Sequence, residues 1–229
     1  MTIVVATRNP DKVKEIEAIL RGLDVSLVTL DRFADVPTVV EDGTTVEENA
    51  LKKARAVRDA TEMCALADDT GLEVDALNGA PGVFSSRYAG EEAGYEANNR
   101  KLLQALSGVP DDERTARFRC VVALALTTNV GGRLYERMKD AAADEATVLG
   151  AGARSVDGFV AEGLLEGRIT REKRGTSGFG YDPVFEVLGE GKTLAEIGTE
   201  GKNRMSHRYR ALVEIRELLL RWSLAKPIR

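Results

Sequence analysis

The sequence predicts an α/β fold, a mixed β-sheet flanked by helices. Three features point to it. The chain opens on a β-branched run, "TIVVA", that passes at once into a helix start. A long run, "ARFRCVVALAL", places Ala116, Phe118, Cys120, Val122, Leu124 and Leu126 on one face, as a strand with a buried side does. Strand-like and helix-like segments mix without the strict alternation of a doubly wound dinucleotide fold.

Taken in order, "TIVVA" reads as a buried strand. In "TRNPDK", Asn9 is placed as an N-cap and Pro10 at the first helical position, where a missing N–H costs nothing. Val13, Ile16, Ile19, Leu20 and Leu23 follow at helical spacing, and Gly22 is a stop signal. "VSLVTL" is a second strand. "TTVEENALKKARAVRDA" reads as a helix opened by a capping box of Thr44 and Glu47. "MCALAD" is a third strand, expected to end at "DDTG". "LEVDAL" alternates up to the turn pair Asn78-Gly79. "GAPGVFSSRYAG" reads as loop, "YEANNRKLLQAL" as helix, and "ARFRCVVALAL" as the long strand. For "LYERMKDAAADEATV", within residues 129–158, a helix and an extended excursion both stay open. "FVAEGLLEGRIT" resumes strand character, and the glycine-rich "GTSGFGYDPVF" follows. A last helix from about Ser206 carries Leu212, Ile215, Leu218, Leu219 and Trp222 on its apolar face.

With 229 residues, the chain suits one large domain or two small lobes. Its apolar share of 43% and charged share of 30% are those of an ordinary globular protein that buries its core without staples. A net charge of −5 argues against nucleic acid as a partner, so an anionic ligand needs a local cluster of Lys and Arg. Cys64 and Cys120 each lie in an apolar strand-like run and read as buried free thiols, which fits a reducing cytoplasm. No apolar run approaches the length of a membrane helix, and "MTIVVATRNPDK" is too short in its apolar part for a signal peptide. A cytoplasmic protein without membrane contact is the expectation.

Chemistry concentrates in four places. "ADDTG" sets Asp68 and Asp69 side by side at an expected strand end, where adjacent acids are costly to bury without a cation. A divalent metal such as Mg²⁺ takes carboxylate and phosphate oxygens together. The plain alternative is a solvated turn. Glu41, just ahead of a helix, is either a favourable charge near that helix's N-terminus or a second metal ligand. Lys53, in the same helix, is either a surface lysine or a phosphate ligand. "TRNPDK" offers the N–H groups of a helix start as an anion site, with Lys12 placed against the helix dipole. "KNRMSHRYRAL" gathers Lys202, His207 and Arg208, again with cations at a helix start; His207 is the chain's single histidine. There is no Walker A pattern, no zinc spacing and no serine elbow.

"VATRNPDK", "EDGTTVEENALKKA", "ALADDTGLEVDALNGAPGVFSSRYAG", "GFGYDPVF" and "KNRMSHRYRAL" occur in one order from residue 3 to about 220. Together they resemble the inosine triphosphate pyrophosphatase, or Ham1-like, family. The resemblance implies an elongated mixed sheet with two lobes around a nucleotide cleft, a homodimer, and Mg²⁺-dependent hydrolysis of ITP, dITP and XTP to monophosphate and pyrophosphate. It implies that Thr7, Arg8, Asn9 and Lys12 form the phosphate turn and that Lys53 is a second phosphate lysine. Asp69 would be the metal-binding acid and proton acceptor, Glu41 a second acid near the metal, and Asp68 a supporting acid. Thr70 would touch substrate, Phe179, Gly180, Tyr181 and Asp182 would form the base loop, and Lys202, His207 and Arg208 would read the purine edge. Residues 129–158 exceed the short hairpin the family implies and read as an insertion within one two-lobed domain.

The residue types suit those roles. Gly178 and Gly180 let backbone approach a flat base, and Phe179 offers a ring for stacking. Arg208 and His207 are donors for a 6-oxo acceptor, whereas adenine's 6-amino group would set donor against donor. Three other readings remain: a Maf-like pyrophosphatase with a different base preference, a nucleotide-binding module without turnover, and a structural interaction protein with residues 129–158 as its docking element.

Overall fold

The computed structural model describes residues 1–138, 148–152 and 155–221. Eight strands form one mixed sheet whose main path runs β2-β1-β3-β5-β7-β6, with β4 on β3 and β8 on β7. β1 (Thr2–Val5) pairs in parallel with β2 (Ser26–Thr29) and with β3 (Cys64–Val74). β4 (Pro81–Gly82) pairs antiparallel with β3. β7 (Ser155–Ile169) takes β6 (Val148–Gly152) and β8 (Phe185–Val187) antiparallel, and β5 is Thr115–Ala125. Parallel and antiparallel pairs in one sheet make this the mixed α/β class expected.

Six helices accompany the strands among the described residues. α1 (Pro10–Leu20) begins as read: the Asn9 side chain accepts from the Asp11 and Lys12 N–H groups, and Pro10 opens the helix. α2 (Val46–Thr61) starts one residue later than the sequence suggests. Its cap is Thr45, which accepts from Glu48 N–H, while Glu48 reaches back to Thr44 N–H and hydroxyl. Thr44 and Thr45 are both good caps, so the pattern alone could not choose between them. α3 (Tyr95–Ala105) and α6 (His207–Arg221) fall where expected, with Ser206 Oγ accepting from Tyr209 N–H at 3.1 Å. α4 (Thr128–Met138) settles the first part of the ambiguous stretch as helix. Residues 139–147 and 153–154 of that stretch, and Trp222, lie outside the described residues.

Two departures matter for function. β3 does not end at the acids: it runs on through Asp68, Asp69, Thr70 and Gly71 to Val74. The parallel pairing with β1 stops at Val5↔Leu66, so the acids lie just beyond β1 in a strand that continues. The reading of "DDTG" as a strand end or a solvated turn is thereby corrected. The second departure is α5 (Leu194–Met205), which the sequence reading did not include. Its start carries a full capping box of Thr193 and Glu196, but Gly198 at φ +80° interrupts the helical backbone and hides the period. The stretch "GAPGVFSSRYAG", read as loop, contains β4 and a 3-10 turn, Ser85–Arg87.

The chain divides into two compact units. The first comprises Met1–Asp69, Val121–Glu162 and Ala211–Arg229; the second comprises Thr70–Cys120 and Gly163–Arg210. In the first, Ile3, Val4 and Val5 of β1 are buried together with Ile16 and Leu20 of α1 and Ala50, Ala54 and Val57 of α2. Each large aliphatic side chain so buried contributes roughly 1.5–3 kcal/mol of transfer free energy. In the second, Leu72, Leu102, Phe118, Leu165, Tyr181 and Phe185 belong to one apolar cluster. Arg114 is buried beside it and donates to the Leu106, Ile169 and Thr170 carbonyls at 2.6–2.7 Å. Cys64 and Cys120 are buried free thiols, as read. No helix among the described residues is long and apolar enough to cross a membrane.

Candidate active site

The first unit gathers cations and acids around β3. Ala6 N–H donates to Leu66 O at 2.8 Å, which carries the β1 register up to the "TRNPDK" turn. Within that turn Thr7 Oγ1 accepts from Asn9 N–H at 3.2 Å, and Arg8 donates to Val36 O at 3.0 Å. Asn9 caps α1, which sets Lys12 in the first turn of the helix. From there Lys12 Nζ lies 2.9 Å from Asp68 Oδ2, whose side chain is wholly buried. The cation at the positive end of a helix is thus held by an acid beneath it.

Asp69 has its own lysine. Lys53 Nζ lies 3.1 Å from Asp69 Oδ1 and 2.9 Å from Glu41 Oε1. Burial works against the Lys53 charge, but Asp69, Asp68 and Glu41 together hold its ammonium above the ordinary lysine range. Burial pushes the Asp69 carboxyl up from its usual value; Lys53 and Lys12 draw it part of the way back, and Glu41 pushes it up again. Asn49, which sequence reasoning passed over, donates to Asp69 Oδ2 at 3.2 Å. Among the described residues no group of three or more His, Cys, Asp or Glu side chains is placed to hold a metal. Glu41 and Asp69 nevertheless share one cation already, the Lys53 ammonium. Two hard carboxylates suit Mg²⁺, which takes one or two from a protein and the rest of its shell from phosphate and water.

The second unit holds the aromatic and donor cluster. Phe179 N–H donates to Asp182 Oδ2 at 2.9 Å, and Lys202 Nζ reaches the same oxygen at 2.7 Å. Lys202 also stands 4.0 Å from the Phe179 ring centroid, and the Arg208 guanidinium 5.8 Å from it. Tyr95 lies against Phe179 itself, ring centroids 6.1 Å apart. Gly178 has φ +78°, and a Cβ there would sit 2.1 Å from Asp182 Oδ2, so the turn closes only on glycine. Gly180 offers its carbonyl to Asn99 Nδ2 at 2.9 Å, a second contact the sequence did not reveal. Arg208 donates to Thr70 Oγ1 at 3.2 Å, which joins that hydroxyl to the cluster.

Two expected site residues are placed less simply. Tyr181 is a core residue: it is 4% exposed, its hydroxyl donates to Ser85 O at 2.9 Å, and burial pushes its phenol pKa up. Its carbonyl accepts from the Val184 and Phe185 N–H groups at 3.0 and 3.1 Å. His207 is buried with its ring stacked on Phe118, centroids 4.5 Å apart. Thr7, Lys12, Glu41, Lys53 and Asp69 therefore belong to the first unit, and Thr70, Phe179, Asp182, Lys202, His207 and Arg208 to the second.

The mixed α/β sheet thus carries a lysine-gripped acid pair in the first unit, and the second unit holds a glycine-framed aromatic beside buried cations. The Ham1 family sequence model matches residues 3–218, and the chain belongs to that family. It is 48% identical over 217 residues to a dITP/XTP pyrophosphatase of Geobacter sulfurreducens, covering 95% of this chain and 96% of the relative. Among solved structures, a HAM1 protein from Coxiella burnetii matches with a TM-score of 0.78 at 39% identity, over 96% of this chain and 99% of that one. The Ham1 protein of Staphylococcus aureus matches with a TM-score of 0.76 at 34% identity, over 96% and 98% of the two chains.

Proposed function

We propose that this protein hydrolyses purine nucleoside triphosphates bearing a 6-oxo base, namely ITP, dITP and XTP, to the monophosphate and pyrophosphate. One observation carries the reading: two consecutive buried acids in the middle of a strand, each gripped by its own lysine. Isolated acids there would be costly, and lysines so held are ready cations for a polyphosphate. The relatives named dITP/XTP pyrophosphatase support the same reading.

In the reaction, water attacks the α-phosphorus, the bond to the bridging oxygen breaks, and negative charge passes to the leaving pyrophosphate. Lys12 and Lys53 offset that charge. The Asp69 carboxyl, with its affinity for protons raised by burial, is suited to take one from the attacking water. Glu41 and Asp69 would hold Mg²⁺, which when bound neutralises phosphate charge. On the base side, Phe179 stacks on the purine. Arg208, with His207 and Lys202, supplies donors that a 6-oxo group satisfies and a 6-amino group does not. This selection removes deaminated purines from the nucleotide pool.

A nucleotide panel with pyrophosphate detection tests the proposal. Release from dITP and XTP is expected to exceed release from ATP by at least about 100-fold in kcat/KM. Equal rates on ATP, orthophosphate as the product, or binding without turnover would each defeat it. Phe179→Ala is expected to raise KM for dITP roughly 5- to 150-fold, the worth of one stacked base, with kcat much less affected. An unchanged KM would remove Phe179 from the base site.

A further inference from the structure

We infer that Asn49 is a positioning residue for hydrolysis, holding Asp69 and the segment that carries Glu41 in one fixed frame. The inference rests on the role proposed for Asp69. Asn49 lies in the first turns of α2 and is fully buried. Asparagine is a poor helix former, so its place inside a helix calls for a reason. Both ends of its side chain are engaged. Nδ2 donates to Asp69 Oδ2 at 3.2 Å, and Oδ1 accepts from Gly43 N–H at 2.8 Å. The two contacts fix which end is oxygen, because a backbone N–H can only donate and the Asp69 carboxylate accepts.

Lys53 lies four residues further along the same helix, so the two side chains share a face. They divide the Asp69 carboxylate: Lys53 takes Oδ1 and Asn49 takes Oδ2. They also divide the segment at residues 41–43, Lys53 holding the Glu41 carboxylate and Asn49 the Gly43 N–H. The result is a closed ring: Glu41, Lys53, Asp69, Asn49, Gly43, and back along the chain to Glu41. Gly43 is part of the device. A Cβ there would lie 2.6 Å from Asn49 Oδ1 and 2.9 Å from Glu48 Cβ, so the segment approaches α2 as closely as it does only with glycine.

The chemistry explains why the second donor is an amide. A second lysine on Asp69 would cancel the charge the acid needs for a metal or a water proton. The amide orients Oδ2 while leaving that charge in place. When a polyphosphate draws Lys53 away, Asn49 keeps Asp69 and the Glu41 segment in register.

Three variants test this with kcat and KM for dITP, the affinity for a non-hydrolysable dITP analogue by calorimetry, and the melting temperature. Asn49→Ala removes both bonds. Asn49→Asp keeps the shape and the acceptor for Gly43 but sets a carboxylate where Asp69 needs a donor. Gly43→Ala disturbs the frame from the other side, and either of the last two carries the test if Asn49→Ala fails to fold. All three are expected to lower kcat by about 100-fold, the scale of a misplaced catalytic group. Analogue affinity and KM are expected to stay within about threefold of wild type, because the lysines and the base cluster are untouched. The inference is overturned if Asn49→Asp retains wild-type kcat, or if the losses in kcat are matched by equal losses in analogue affinity. Wild-type turnover measured alongside separates the two levels. If the unaltered protein does not release pyrophosphate, the functional reading fails; if it does and the Asn49 variants match it, only this inference fails.

Discussion

Asp69→Asn is expected to lower kcat for dITP by about a thousandfold or more, with the fold intact. The substitution is nearly isosteric but exchanges one oxygen for an amide nitrogen. That nitrogen must face either the Lys53 ammonium or the Asn49 amide, both donors. The negative charge that would hold a metal or take a proton is gone. Stability should respond differently. Burial pushes the Asp69 carboxyl pKa up, so its ionised form carries a desolvation cost that asparagine does not. Lys53 keeps Glu41 as a partner. A melting temperature within a few degrees of wild type, roughly 1 kcal/mol either way, should accompany the lost turnover. Retention of most of the activity would show that the acid is misassigned.

Lys202→Met is expected to cost about 3–5 kcal/mol of unfolding free energy, the usual penalty for breaking a buried ion pair by removing one partner. Lys202 and Asp182 are 3% and 2% exposed and 2.7 Å apart, so little solvent screens what is left. The Asp182 carboxylate would retain the Phe179 N–H but lose the Lys202 ammonium. The Lys202 ammonium over the Phe179 ring would go as well. Base recognition should fail together with stability, seen as a large rise in KM at temperatures where the variant remains folded. Urea unfolding measures the first effect, with an unchanged slope confirming that compactness is kept. The double variant Lys202→Met with Asp182→Asn should recover part of the loss, because the buried carboxylate charge is then removed along with its lysine. A single-variant loss below about 1 kcal/mol would mean the pair behaves as a solvated one.

The sequence made legible what depends on local pattern. β1, the Asn9–Pro10 helix start, the long β5 and the Ser206 start of α6 follow from residues within a few positions of one another. What stayed hidden depends on partners distant in the chain. Asp68 and Asp69 read as a strand end because two acids in a central strand break the apolar pattern, and the lysines that offset them come from two different helices. α5 escaped because Gly198 interrupts its backbone. Asn49 and Asn99 gave no motif signal, since their partners lie at Asp69 and Gly180. The helix period offered one clue: Asn49 stands one turn before Lys53.

β3 runs unbroken through Asp68 and Asp69, and neighbouring side chains of a strand leave it on opposite sides. The two acids are therefore not spares for each other. A chain that loses the carboxylate at 69 cannot recruit the one at 68 by a small adjustment, because the backbone would have to slip a whole residue and send every buried side chain of the strand to the opposite face. Selection for revived activity in an Asp69 variant should return the original codon, or nothing.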